Sequence, residues 1–382
     1  MKLLHLSDLH LGKRVNEFSM LEDQRYILTQ ILSLCDQHKP DVVLLSGDIY
    51  DRGVPATEAV ELLDDFLTAL VARGLPVLLI SGNHDSPQRL NYGGRIFAKN
   101  KIYISTQLQD SLTPLTLRDE YGEVHFYLLP FLRPAEVRSL FPQEEVASYE
   151  DGVGVVLRQL PLRVEERNVL LAHQFFVAPG SSPLQSDSEL VSVGGLDSGS
   201  TTLLDAFDYA ALGHLHGPQR MGRDGVRYGG SPLKYSFSES LQTKCATLVE
   251  LREKGDLHVE LLPLIPLRDM RELRGSLAVL TSPAVYSAAS TDDYIRATLT
   301  DEDEIVDAIG KLRAVYPNLL RLDYDNARTR ALSRQDRMEL GAQKSALELF
   351  RDFYAQQNGA PLTEEKEKIL VALLESMGGL PR

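Results

Sequence analysis

Five short polar clusters hold most of this chain's capacity for chemistry. They read Ser7-Asp8-Leu9-His10, Ser46-Gly47-Asp48-Ile49-Tyr50-Asp51-Arg52-Gly53, Ser81-Gly82-Asn83-His84-Asp85, Ala172-His173-Gln174 and Gly213-His214-Leu215-His216, and they contain five of the nine histidines. Their side chains offer carboxylate oxygen, amide oxygen and imidazole nitrogen without thiolate, a donor set suited to hard or borderline divalent cations. Seven candidate ligands (Asp8, His10, Asp48, Asn83, His173, His214 and His216) are more than one ion needs. They suit two ions about 3.5–4 Å apart, the two-metal arrangement of phosphoryl chemistry. Asp48 is the natural bridge, because a carboxylate can give one oxygen to each ion. Asp8-x-His10 and His214-x-His216 each set alternate side chains at a strand end, so one segment can address both ions. Taken singly, an Asp-x-His is a turn, a Gly-Asp a tight turn, and His173 a core histidine. All five clusters together, in order and each behind a strand, carry the metal reading.

The elements that position these clusters are short apolar runs directly before them. Strand candidates are 2–6, 41–45, 76–80, 125–129, 168–172 and 209–213. Between the first two, Ile27, Ile31, Leu34 and Cys35 recur at helical spacing. Between the second and third, Val60, Leu63, Leu67 and Leu70 do the same, with Thr57 a possible N-cap. This rhythm predicts a layered α/β domain with a largely buried central sheet, whose carboxyl strand ends build the site. The Ser- and Gly-rich segment 178–202 reads as a long ordered loop or functional flap, since strand-like sequence follows it through 226–230 and 244–251 to about Ile265. Residues 293–324 read as a compact β-α-β unit, and 326–338 is a polar lead-in. Two amphipathic helices follow, one carrying Ala346, Leu349, Phe350, Phe353 and Tyr354, the other Leu370, Leu373, Leu374 and Met377. There is no internal repeat.

Composition bounds the function. The chain has 382 residues, 43% of them hydrophobic, enough for two or three domains. Its formal charge of −14 argues against coating nucleic acid or acidic membrane through a broad basic surface. A small, locally positive site remains open. Two cysteines, Cys35 and Cys245, exclude a disulfide framework and a cysteine metal cluster. No apolar run approaches 18 residues and the first residues turn polar too soon for a signal peptide, so a soluble, cytoplasmic protein is expected.

Beyond the metal-site pattern, HLSDLHLGKR, SGNHDSPQRL, ALGHLHGPQ and GGSPLKYSFSE (229–239) closely resemble the SbcCD-type nucleases, a branch of the calcineurin-like metallophosphoesterase family. The resemblance covers roughly 1–265 with specific motifs and extends more loosely beyond. It implies a layered α/β fold: a β-sandwich core flanked by helices over 1–265, a small α+β capping domain over 266–328, and a linker with two helices over 329–382. It implies one ion held by Asp8, His10, Asp48 and His216 and another by Asp48, Asn83, His173 and His214, with Mn2+ preferred. The implied activity is double-strand exonuclease and single-strand endonuclease cleavage of DNA in repair and recombination. The implied partners are DNA through its backbone, an SbcC-type ATPase held by the C-terminal helices, and a second copy through helices around 57–73 and 88–100. Nucleoid association follows from the same resemblance.

Within such a site, His84 follows a ligand and can point at substrate, which suits a general acid; its other readings are an eighth ligand or a supporting donor. Asp51 could hydrogen-bond His84 and fix its tautomer. Lys13, Arg14, Arg52, Arg89 and Arg95 lie just after ligand motifs and could meet backbone phosphates. The resemblance adds Ser231, Lys234 and Tyr235, within GGSPLKYSF, as further substrate-binding candidates. Two rival functions remain: a small-substrate phosphatase or cyclic-nucleotide phosphodiesterase of the same fold, and a non-enzymatic scaffold. The 115-odd residues after the catalytic domain speak against the first, and the intact ligand set against the second.

Overall fold

The computed structural model describes residues 1–189, 198–330, 346–358, 360–363, 365–368 and 370. In chain order, the strands of its larger sheets are β1 (Lys2–Leu6), β2 (Val42–Ser46), β3 (Val77–Ile80), β4 (Ile102–Ser105), β5 (Leu115–Asp119), β6 (Gly122–Leu129), β7 (Arg167–His173), β8 (Tyr209–Gly213), β9 (Gln219–Met221), β10 (Arg223–Tyr228), β11 (Cys245–Leu251), β12 (Leu257–Pro263), β13 (Met270–Gly275), β14 (Tyr294–Leu299) and β15 (Leu319–Tyr324). The helices that bear on the site and its surroundings are α1 (Leu21–His38), α2 (Thr57–Ala72), α3 (Tyr149–Gln159), α4 (Ala308–Arg313) and α5 (Ala346–Asn358).

Two six-stranded sheets, ordered β12-β11-β1-β2-β3-β4 and β9-β10-β8-β7-β6-β5, lie face to face. Between them Leu3, Val42, Leu44, Leu78 and Ile80 of the first meet Phe126, Val169, Leu171 and Tyr209 of the second. The alternate residues of β2, Val43 and Leu45, face the other way into a core shared with Ile27, Ile31, Leu62 and Phe66 of α1 and α2. On the second sheet's outer face, Leu170, Ala172, Ala210 and Leu212 pack with Val153, Val156 and Leu157 of α3. The result is four layers, helix–sheet–sheet–helix. Strands buried on both faces explain why the apolar runs are continuous instead of alternating.

The two sheets are the β-sandwich core flanked by helices that the family resemblance implies, where the apolar rhythm by itself suggests one central sheet. Thr57 is the first residue of α2, and Ala56 occupies the cap position without a side-chain hydrogen bond. The β-α-β unit expected at 293–324 is present as β14-α4-β15, with a third parallel strand, β13, beside it. Its own small core holds Leu280, Ile295, Ala297, Leu312 and Tyr316. The first expected terminal helix is α5, with Phe350 and Phe353 exposed. Of the second, residues 365–368 and 370 are helical, while Leu373, Leu374 and Met377 lie outside the described residues. No helix among the described residues is long and apolar enough to cross a membrane.

Candidate metal centre

β1, β2 and β3 run parallel in one sheet, and β7 and β8 in the other. All five clusters follow the carboxyl ends of these strands, so two neighbouring sheet edges deliver them to one place. The delivery uses tight backbone. Asp8, His10, Asp48 and His214 have φ of 52°, 44°, 48° and 103°, in a region non-glycine residues rarely adopt. Holding each residue there costs of order 1–3 kcal/mol and persists only where surroundings over-determine it. Here they do: Asp8 N–H donates to Gly47 O (3.1 Å) and His10 N–H to Asp48 O (2.9 Å), locking the first loop onto the second.

All seven expected ligands converge. Asp8, His10 and His216 form one group with donor atoms mutually within 4.8 Å; Asp8, Asp48 and His173 form another. Asn83 Oδ1 lies 3.0 Å from His173 Nε2 and 3.2 Å from His214 Nδ1. Asp48 Oδ2 lies 3.3 Å from His173 Nε2 and 3.7 Å from His10 Nε2, so one carboxylate faces both halves of the cluster. His10 Nε2 and His216 Nε2 approach to 3.1 Å.

Proton placement tests whether the cluster fits cations. The Ser46 carbonyl sits 2.8 Å from His173 Nδ1, so this nitrogen carries the hydrogen and Nε2 presents a lone pair toward two oxygens. That arrangement needs a cation between them, proton or metal. Burial opposes charge on His173, but the Asp48 and Asp8 carboxylates outweigh it and raise the group to about 9. His10 and His214 are driven the other way by burial, His214 to about 3, leaving neutral imidazoles suited to ligation. His10 Nδ1 and His214 Nε2 are buried polar atoms without a hydrogen-bond partner. Those are the ring nitrogens opposite the ones that meet the cluster, His10 Nε2 and His214 Nδ1; neutral imidazole converging with ionised carboxylate is itself the donor chemistry of a divalent-cation site.

His84 stands apart from these buried rings. Its side chain is 15% exposed and its Nε2 lies 4.0 Å from Asp48 Oδ2. Its backbone N–H donates to Asp48 Oδ1 at 2.9 Å. The expected dyad with the Asp51 carboxylate is not formed. His84 Nδ1 instead meets the Asp51 backbone carbonyl at 2.9 Å, while the carboxylate pairs with Lys13 (2.8 Å) and Arg52 (3.5 Å). The turn at 48–53 presents main chain where sequence spacing suggested a side chain. The tautomer is set all the same: Nδ1 carries hydrogen, and Nε2 faces the cluster.

Of the basic residues expected to face phosphate, Lys13 is engaged by Asp51, and Arg14 folds back onto the Glu17 carbonyl. Arg52, Arg89 and Arg95 are exposed. Ser231 and Tyr235 are fully buried parts of the framework, not substrate contacts: Ser231 Oγ accepts from Lys244, and the Tyr235 hydroxyl donates to Leu9 O, bracing the first ligand loop. Lys234 pairs with Asp269 at 2.8 Å, tying the sandwich to the region of β13.

The supporting residues were not singled out by sequence. Asp85 accepts from Ile49 N–H (3.1 Å), Tyr50 N–H (2.9 Å) and Gly82 N–H (2.9 Å), pinning the second cluster to the third. Burial, with the Asp48 charge beside it, raises the Asp85 carboxyl to about 6. Gln24 donates to His10 O at 2.8 Å. Behind His216 stand Ser188, Glu189, Glu239 and Lys244. Glu239 lies inside GGSPLKYSFSE, the one sequence signal that could have found it.

A calcineurin-like phosphoesterase family model matches residues 1–218, and the chain belongs to that family. A Type 5 capsule protein repressor C-terminal domain model matches residues 266–358. The chain is 34% identical over 326 residues to the SbcD subunit of the SbcCD nuclease of Staphylococcus epidermidis, covering 84% of this chain and 85% of that one. It is 32% identical over 381 residues to the protein of the same name from Staphylococcus saprophyticus, covering 98% and 99%. Within the phosphoesterases it therefore falls among the SbcD nucleases, and it is a metal-dependent phosphodiesterase. Among solved structures, a dimetal phosphatase from Danio rerio aligns with 69% of this chain and 96% of its own at 13% identity and a TM-score of 0.43.

Proposed function

We propose that this chain is the nuclease component of an SbcCD-type complex and cleaves DNA phosphodiester bonds with two divalent ions, Mn2+ preferred, as a double-strand exonuclease and single-strand endonuclease. The observation that carries the reading is the convergence of five strand-end clusters into one largely buried set of imidazole, amide and carboxylate donors. Asp8, His10, Asp48 and His216 would hold one ion, and Asp48, Asn83, His173 and His214 the other. When bound, such ions neutralise the scissile phosphate and make a water nucleophilic near neutral pH.

The chain's own residues supply the rest. His84, partly open and with Nδ1 committed to a carbonyl, can hand a proton from Nε2 to the leaving oxygen. Asp51 acts through its backbone on His84 and through its carboxylate on Lys13, which is thereby held beside the site. Arg52 and Arg89, both exposed, can meet backbone phosphates, with no base-reading element implied.

The proposed organisation is a nuclease domain over 1–265, a capping domain over 266–328 and a partner-binding tail over 329–382. Exposed Phe350 and Phe353 on α5 support docking of an SbcC-type ATPase there. Exposed Val60, Tyr92 and Ile96 support a homodimer through 57–73 and 88–100. Digestion of end-labelled duplex DNA with Mn2+, beside p-nitrophenyl ester turnover, tests the function. Cleavage of DNA that falls about 10²–10⁴-fold in His84→Ala with Mn2+ binding retained is expected. Ester turnover without DNA cleavage would leave a small-substrate phosphatase, and an unchanged rate in His84→Ala removes the general-acid role.

A further inference from the structure

The Ser- and Gly-rich segment that follows Val177 is not a free flap over its described part. Its residues 184–189 are seated against the back of the metal cluster. Leu184 exchanges two hydrogen bonds with the Gln219 amide, each 2.9 Å, and Asp187 N–H donates to Ser238 Oγ at 2.9 Å. Glu189 Oε1 accepts from His216 N–H at 2.6 Å and from Ser186 Oγ at 2.8 Å. Ser188 Oγ lies 2.8 Å from His216 Nδ1 and donates to Glu239 Oε1 at 2.6 Å.

Those contacts allow one consistent placement of protons. Glu239 is wholly buried and bonded by Lys244, Nζ to Oε2 at 2.6 Å, so it is an ionised acceptor. Ser188 spends its hydrogen on Glu239 and offers a lone pair to His216, so His216 Nδ1 carries hydrogen. His216 Nε2 is then left bare toward His10 and Asp8. Lys244 also donates to His216 O at 2.8 Å and to Ser231 Oγ at 3.0 Å, fixing the main chain of the same residue. A ligand imidazole whose far nitrogen is held by a carboxylate is oriented, locked in one tautomer and made more basic. Here a hydroxyl from the loop bridges imidazole and carboxylate at 2.8 and 2.6 Å, shorter than the direct Nδ1–Oε1 approach of 3.4 Å.

We propose that Ser188, Glu239 and Lys244 are positioning residues for His216, and that seating of the 184–189 loop and divalent-cation binding are energetically coupled through this contact. The proposal rests on His216 being a metal ligand. Coupling is reciprocal: whatever factor the seated loop adds to cation affinity, the cation adds to loop seating. The loop is thus part of the metal site's support, and displacing it weakens the half of the cluster formed by Asp8, His10 and His216.

Mn2+ titration by calorimetry and hydrogen exchange of the 184–189 amides, on the full chain, test this together. Ser188→Ala removes one hydroxyl and leaves the Glu239–Lys244 pair intact; it should weaken Mn2+ binding about 10–100-fold. Ser188→Thr keeps the hydroxyl and should bind like the parent. Mn2+ should slow exchange of 184–189 in the parent and in Ser188→Thr but not in Ser188→Ala. The double variant Glu239→Gln with Lys244→Met, which removes both buried charges at once, should lose affinity as Ser188→Ala does. His216→Ala separates the two readings. If it leaves Mn2+ binding unchanged, the metal assignment of His216 fails. If it weakens binding while Ser188→Ala matches the parent in both affinity and exchange, the coupling is overturned and the metal assignment stands.

Discussion

Gly213→Ala should damage this protein out of proportion to one methyl group. Gly213 ends β8 where the two sheets meet, and a Cβ built there lies 1.9 Å from Ser46 O and 2.7 Å from His173 Nδ1. Ordinary contact begins near 3.4 Å, so Ser46 and Gly213 must separate by about 1.5 Å. Both partners are backbone of buried strand ends, and neither can rotate away. Forcing a methyl into such packing costs roughly 1–3 kcal/mol. At about 2–4 °C per kcal/mol for a domain of this size, the unfolding temperature should drop by roughly 2–12 °C. The Ser46 carbonyl is also the acceptor that fixes His173 Nδ1 at 2.8 Å. Metal ligands tolerate displacements of about 0.2 Å, so the forced shift should weaken Mn2+ binding by about 10–100-fold. Thermal unfolding without divalent ions measures the first effect, and Mn2+ titration the second. Gly154→Ala is the control. Its Cβ would meet only Arg158 Nη1 at 3.4 Å and Leu203 at 3.8 Å inside α3, and helical Gly→Ala stabilises by roughly 0.5–1 kcal/mol. A Gly213→Ala protein with the parent's unfolding temperature and Mn2+ affinity would refute the close packing of β2 against β8.

Asp119→Asn should destabilise by about 1.5–3 kcal/mol in urea unfolding, because it removes the charged partner of buried Arg167, which donates to Asp119 Oδ2 at 3.0 Å and would keep only the carbonyls of Gly122, Leu251 and Arg252. Burial pushes the Asp119 carboxyl up, but hydrogen bonds from Arg167, the Met1 amine and Tyr121 N–H outweigh it and hold the group below its ordinary 3.8. A depressed native pKa means the pair's contribution is complete above about pH 4 and is lost as pH falls further; acid unfolding of parent and Asp119→Asn should converge there. Excess Mn2+ at a hundred times its dissociation constant should stabilise the parent by about 2.7 kcal/mol in the same unfolding assay, and EDTA should remove that increment. Truncation near residue 335 should abolish association with the ATPase partner in co-purification while leaving Mn2+-dependent cleavage unchanged.

The cluster is legible in sequence because its candidate ligands are local to strand ends. An apolar run stopping at Asp8, Asp48, Asn83, His173 or His214 marks a carboxyl edge, and parallel strands bring those edges together without any further information. What was not legible depends on contacts distant in sequence or on main chain. Two buried sheets and one buried sheet produce the same continuous apolar runs, so the second layer could not be seen in the rhythm. The strand β13, MRELRG, alternates exposed charge with partly buried residues and carries no apolar run to announce it. The dyad expected between Asp51 and His84 failed because spacing locates a residue without saying whether its side chain or its carbonyl faces the partner. The support of His216 comes from positions 28 and 23 residues away, in a Ser-rich loop and in a short 3-10 turn, neither of which has a periodicity to read.

The overall charge of −14 is repeated in miniature at the cluster, and this orders the events there. Asp8, Asp48, Asp51 and Asp85 crowd one small region, and among the described residues the cations paired with them are Lys13, Arg52 and the His173 imidazolium. Without divalent ions, a phosphodiester would meet buried carboxylates in a low dielectric, where like charges repel strongly. Two divalent ions, as proposed, would add four positive charges at that point and reverse the sign of the field. Affinity for DNA at the proposed site is therefore conditional on metal, and it is local: outside the cluster a net acidic surface cannot hold duplex by bulk charge. Few phosphate contacts mean a shallow dependence of DNA affinity on salt for this chain alone, and a steep one would point to a basic surface elsewhere. On the proposed function, holding the substrate would then fall to what surrounds the site, while this chain would supply the chemistry.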